Sequence, residues 1–252
     1  MCLTELIVPF WQIWQFFMIF VLAFSNELNI TDFKIFFKYV IIKAMALQIF
    51  TLIVLLFSII IHEIAHGGMA YSLGDPTAKY SGRLSLNPIK HIDPVGSVLV
   101  PLALALVGAP LIGWAKPVPI NPNNFRDKKW GDLKVGLAGP ASNLIIALVF
   151  GLALRLLPVY FFNLFGFYFI QIAVINILLA VFNLMPIPPL DGSHILFSFL
   201  PRSAEKIKIV LSQYGFLILF FFIFFFSWFR GLLWYLINIV FTLITGMTLP
   251  YY

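Results

Sequence analysis

Residues 50–73, FTLIVLLFSIIIHEIAHGGMAYSL, place His62, Glu63 and His66 directly after an apolar run that begins near Met45. A run of that length and composition reads as a membrane-spanning helix. On a helix, side chains four residues apart share one face, so His62 and His66 can hold a metal ion between them. Glu63 is offset by one position, close enough to reach a water on that ion without being a ligand. The H-E-x-x-H pattern therefore offers two zinc ligands and a general base. The competing reading is chance, two histidines and a glutamate on a surface helix. The apolar lead-in argues against it, because ionisable groups inside a membrane-length segment are costly and normally face a functional interior. The motif leaves the third ligand open.

Composition sets the class. Of 252 residues, 62% are hydrophobic and 10% charged, with 29 Phe, and the mean hydropathy is +1.00. Those proportions belong to a polytopic membrane protein and exclude an ordinary soluble domain. The net charge is +6, but the basic residues are spread through loops with no aromatic-basic platform, so nucleic acid is not an expected partner. They read as topology signals. With Cys2 as the one cysteine, a bound metal must rely on His, Asp or Glu.

Outward from the motif, the chain reads as an all-α polytopic membrane protein of about six transmembrane helices, with a re-entrant or short β element between the second and third. The first span is expected over 6–24, as an uncleaved span, because no Lys or Arg precedes it. Residues 26–44 read as interfacial helical turns leading into the second span, 45–73, which Gly74-Asp75-Pro76 ends. Residues 80–86 are expected to form a short strand. The apolar stretch 95–114 is interrupted by Pro101, Gly108, Pro110 and Gly113, so a re-entrant segment is expected over a full crossing. Later spans are expected at 134–157, 167–185, 207–229 and 232–247, with 158–166 as an uncharged loop. Three parts follow: an N-terminal span and interfacial segment (1–44), a catalytic membrane core (45–200) and a C-terminal helix pair (201–252).

The fourth span runs into NLMPIPPLDGSH, residues 183–194, where Pro186, Pro188 and Pro189 cannot continue a helix. Extended backbone is expected there. Asp191 follows the break. Asp-Gly is good turn chemistry, but the membrane lead-in favours metal ligation. For orientation, segment 74–133 holds Lys79, Arg83, Lys90, Lys116, Arg126, Lys128 and Lys129, while 158–166 holds no basic residue. With the re-entrant reading, the positive-inside rule puts His62, His66 and Asp191 near the cytoplasmic ends of their spans, against the grain of Lys34, Lys38 and Lys43.

HEIAH at 62–66, GPASN at 139–143 and NLMPIPPLDG at 183–192, in this order between membrane runs, resemble the site-2 protease family of intramembrane zinc metalloproteases. The resemblance spans roughly residues 45–200 and is closest to its compact branch, without a PDZ insertion or CBS domain. It implies one zinc per chain held by His62, His66 and Asp191, with Glu63 as the base. Asn183 matches the asparagine the family uses near the metal, where its amide would stabilise the oxyanion. Asn143 matches the end of the glycine-proline motif, with a structural role equally in view. His91 and His194 are expected to support the site from outside the ligand set. The implied activity is hydrolysis of peptide bonds in transmembrane segments of other proteins, as in regulated intramembrane proteolysis, in the cell membrane with the site toward the cytoplasm. The bilayer and a transmembrane substrate are the implied partners. Residues 80–86 and 186–189 are candidate edges for an unwound substrate.

The rival is a membrane metal-ion transporter or ion-binding protein, since intramembrane His and Asp also build ion paths. Such a protein has no need of Glu63 beside the ligands, and no paired inverted repeats are visible.

Overall fold

The computed structural model describes residues 30–100, 103 and 116–249. The first expected span, 6–24, and most of the 95–114 segment lie outside the described residues.

No glycine or proline interrupts the sequence between Ile30 and His66, and helix α1 accordingly runs unbroken over Ile30–Ser72. The turns expected ahead of the second span are thus part of the same helix from Ile30 onward. Gly74, at φ 107, ends it, a left-handed conformation that glycine adopts without steric cost. The short helix α2, Thr77–Tyr80, follows. Helices α3 (Gly131–Leu156) and α4 (Val159–Asn183) come next, then α5 (Gly192–Phe199), α6 (Glu205–Phe225) and α7 (Ser227–Thr245). Among the described residues, five stretches are long and apolar enough to cross a bilayer: Lys38–Ser72, Gly131–Leu156, Tyr160–Asn183, Glu205–Phe225 and Ser227–Thr245. The chain is a multi-pass integral membrane protein.

Three expectations need correction. Tyr80 ends α2 and residues 81–86 are irregular, with no strand: Gly82 donates to Lys79 O and Arg83 to Ala78 O, closing the end of α2, and Gly82 takes φ 65. Among the described residues all regular structure is helical. Residues 158–166 are not a loop, because α4 begins at Val159; an uncharged, mostly apolar stretch after Pro158 satisfies its backbone in lipid by becoming helix. The proline-rich stretch after Asn183 is a series of turns and not extended backbone, with Leu190 donating to Ile187 O and Ser193 to Leu190 O.

The described residues fall into two units. One contains α1 up to Ile53 and the π-helical stretch Pro94–Leu99, whose first amides, Val95 and Gly96, donate to Asp93 Oδ1. The other comprises Val54–Ile92 and Ala115–Leu249. In this second unit, Ala147 of α3, Ala173 and Ile177 of α4, and Ile237 and Phe241 of α7 form a buried core. Small residues set the approach of these helices. A Cβ at Gly151 would lie 2.4 Å from Ile244 Cγ2, so α3 and α7 pack as closely as they do only with glycine there. A smaller cluster of Ala70, Phe125 and Val135 fastens the segment following residue 116 to the C-terminal end of α1. Ile145, Val149, Phe216 and Leu217 remain exposed. On helices of this length such outward apolar residues face lipid.

Candidate metal centre

His62 and His66 project from one face of α1 with their ring centroids 4.6 Å apart and nearly perpendicular. Asp191 meets them from the start of α5. Its Oδ2 is 3.0 Å from His62 Nε2 and its Oδ1 3.3 Å from His66 Nε2, and the two Nε2 atoms are 3.0 Å apart. Both histidines are buried. The three residues predicted as ligands from sequence therefore converge.

The far side of each ring fixes its proton. His62 Nδ1 is 2.6 Å from Asn143 Oδ1, and His66 Nδ1 is 2.7 Å from the carbonyl oxygen of Val135. Both partners are acceptors, so both Nδ1 atoms carry hydrogen. In the neutral rings each Nε2 is then a lone pair. Two lone pairs and a carboxylate would face one another across about 3 Å of desolvated space, a repulsive arrangement unless a cation lies among them. Asp191 Oδ2, buried, has no hydrogen-bond donor among the described residues. One donor atom from each residue lies within 4.8 Å of the other two. Tetrahedral zinc, with ligand bonds of about 2.1 Å, separates its ligand atoms by roughly 3.4 Å. The donor set, the spacing and the outer hydrogen bonds all fit such an ion.

Helix α3 makes room for it. A Cβ at Gly139 would sit 2.3 Å from His66 Nε2 and 2.6 Å from His62 Nε2, so no other residue fits over the imidazole pair. Gly136 admits α5 in the same manner, since a Cβ there would lie 2.9 Å from His194 Cβ and 3.2 Å from Asp191 O. The small residues of this motif pack one helix over the site.

Glu63 is half-buried on the next position of α1, and its Oε2 accepts a hydrogen bond of 2.9 Å from the Val118 amide. The segment carrying Val118 is braced by Asp75. That carboxylate accepts from Asn121 N (2.7 Å), Asn124 Nδ2 (2.8 Å), Thr77 N (3.2 Å) and the Thr77 hydroxyl. Burial works to raise the Asp75 pKa, yet these hydrogen bonds prevail and hold it below the ordinary carboxylate value. Arg126 N donates to Leu73 O at 2.8 Å and closes the same junction.

Asn183 sits at the C-terminal end of α4, with Nδ2 donating to Leu179 O at 2.9 Å. The remaining amide hydrogen and the side-chain oxygen are left for other partners. His91 places Nε2 2.8 Å from Ser85 O and, like His194, is not among the three residues of the metal group. Sequence reasoning did not find Ser58 and Asn176. Asn176 of α4 donates to Ser58 Oγ and to Ile172 O, both at 2.9 Å, and accepts from Asn143 Nδ2 at 2.9 Å. All three are buried. The available signal was a polar side chain inside a membrane-length apolar run.

The site thus defines a class: a multi-pass membrane protein with an H-E-x-x-H helix and a distant aspartate gathered at one buried centre. The comparisons with known proteins agree. A profile of Peptidase family M50 matches residues 158–224, a stretch that includes Asn183 and Asp191. The chain is 37% identical over 182 residues to "Putative zinc metalloprotease YwhC" of Bacillus subtilis, covering 69% of this chain and 80% of that protein. It is 34% identical over 167 residues to "Putative zinc metalloprotease Rip2" of Mycolicibacterium smegmatis, covering 65% and 62% of the two chains. No solved structure matches it at a significant level. The chain belongs to peptidase family M50, the site-2 protease family that its three motifs resemble.

Proposed function

We propose that this chain is a zinc-dependent intramembrane endopeptidase that hydrolyses peptide bonds in or beside membrane-spanning segments of other proteins, as in regulated intramembrane proteolysis. The observation that carries the reading is the meeting of His62 and His66 with Asp191 at separations of 3.0 and 3.3 Å in a buried setting, next to Glu63. His62, His66 and Asp191 would hold the zinc, one per chain. When bound, zinc supplies the Lewis acidity that makes water a competent nucleophile near neutral pH.

The protein's own groups supply the rest. Glu63 accepts the proton of the attacking water and returns it to the departing amine. The Val118 amide holds one oxygen of Glu63 in place, leaving the other for proton transfer. Asn183 offers its remaining amide hydrogen to the carbonyl oxygen as charge builds there. Residues 45–200 form the catalytic core in this reading, and His91 and His194 support it from outside the ligand set. The basic segment 74–133 supports a cytoplasmic orientation in the cell membrane.

The test is co-expression with candidate single-span membrane proteins, comparing the natural chain with Glu63→Gln. A fragment formed by the natural chain, and uncut substrate accumulating with Glu63→Gln, is the expected result. Equal processing by both contradicts the assignment of Glu63.

A further inference from the structure

We infer that Asn176 is a positioning residue that, through Asn143, dictates which nitrogen of His62 is free for the metal; the inference rests on the zinc-site reading above. The three side chains come from separate helices, Asn176 from α4, Asn143 from α3 and His62 from α1, and form one buried line. Its direction is set at the far end. Ile172 O, 2.9 Å from Asn176, is a backbone carbonyl and can only accept. The Asn176 amide nitrogen must therefore face it, which turns Oδ1 toward Asn143. Oδ1 also only accepts, so Asn143 presents Nδ2 to it at 2.9 Å. A second acceptor-only carbonyl, Ser58 O at 3.3 Å from the same Nδ2, supports that orientation. Asn143 is left with its oxygen toward His62 Nδ1 at 2.6 Å, which requires hydrogen on Nδ1 and leaves Nε2 as the lone pair.

An asparagine is the one short side chain that presents a donor on one edge and an acceptor on the other, so it can be the wrong way round. With its amide reversed, Asn143 would offer hydrogen to Nδ1 and favour hydrogen on Nε2, the form that cannot ligate. Asn176, at 2.9 Å the nearer of the two acceptors on Asn143 Nδ2, is the main group that removes that choice. Ser58 Oγ, 2.9 Å from Asn176 Nδ2, takes its other hydrogen and completes the set.

A role confined to joining three helices makes a different forecast from a role in orientation, and a carboxylate separates them. Asp at position 143 offers oxygen on both edges and has no wrong way round. The experiment measures zinc affinity of the full-length chain by competition with a chelator, with helix content followed by circular dichroism. Asn176→Leu is expected to bind zinc at least about 10-fold more weakly, the usual scale for losing an outer partner of a ligating histidine. Adding Asn143→Asp to Asn176→Leu is expected to recover most of that loss. Asn176→Ala takes the same place in the comparison if the leucine variant loses helix content. Natural affinity in the position-176 variant overturns the inference, and so does a double variant no better than the single. A natural chain that binds no zinc contradicts the metal-site reading itself, a separate and recognisable result.

Discussion

His62 Nε2 and His66 Nε2 stand 3.0 Å apart, each with its opposite ring nitrogen engaged by an acceptor. No pair of neutral imidazoles settles into that arrangement for its own sake. Removing one ring should therefore do more than delete a contact. For His62→Ala or His66→Ala, we expect loss of stoichiometric zinc in metal analysis of the purified protein together with loss of cleavage. A variant that keeps one zinc per chain contradicts the ligand assignment.

Gly139 owes its place to that pair. An added methyl would lie 2.3 Å from His66 Nε2 and 2.6 Å from His62 Nε2, and neither ring has a flexible end that could move aside. Gly139→Ala should disturb the site and cost about 1–3 kcal/mol of stability by overpacking, read as a lower melting temperature in detergent and weakened zinc binding. Gly68, where an added Cβ would meet nothing within 4 Å among the described residues, serves as the control: Gly68→Ala should leave both unchanged.

The Asp75 brace carries a pH dependence whose sign is fixed. Its pKa is lowered in the folded chain, so it contributes stability that is fully present above the unfolded value of about 3.9 and is lost as pH falls through the folded value. Melting temperatures measured between pH 6 and the acid limit should fall below roughly pH 4, and Asp75→Asn should flatten part of that decline. Asp75→Ala leaves the Asn121 amide and the Thr77 and Asn124 donors without their acceptor, at a cost of about 1–3 kcal/mol. Because the same segment carries the Val118 amide to Glu63, Asp75→Ala should slow turnover more than it reduces zinc content. Equal loss of both would deny the brace a part in holding Glu63.

How much of this was legible from residues alone follows the physics of each signal. His62, Glu63 and His66 could be read because helical spacing and ionisable groups inside lipid coincide at one motif. Asp191 could be read because three prolines end a membrane run just before it. The helices were legible as apolar runs, but their ends were not: no charge marks residues 158–166, and in lipid a helix satisfies the backbone where a loop would not. The expected strand at 80–86 failed because Tyr80 belongs to α2 and the amides of Ser81, Gly82 and Arg83 bond back to carbonyls of that helix. Ser58 and Asn176 escaped notice because each is a single polar residue in an apolar run. Their meaning depends on three helices meeting, which spacing along one chain does not encode.

The third ligand is the part of the account that joins distant segments of the chain, and metal analysis of Asp191→Asn addresses it most directly. The natural protein should carry one zinc per chain after purification and dialysis, and Asp191→Asn should carry far less while keeping its helix content. A full zinc equivalent retained by Asp191→Asn would contradict the proposed centre.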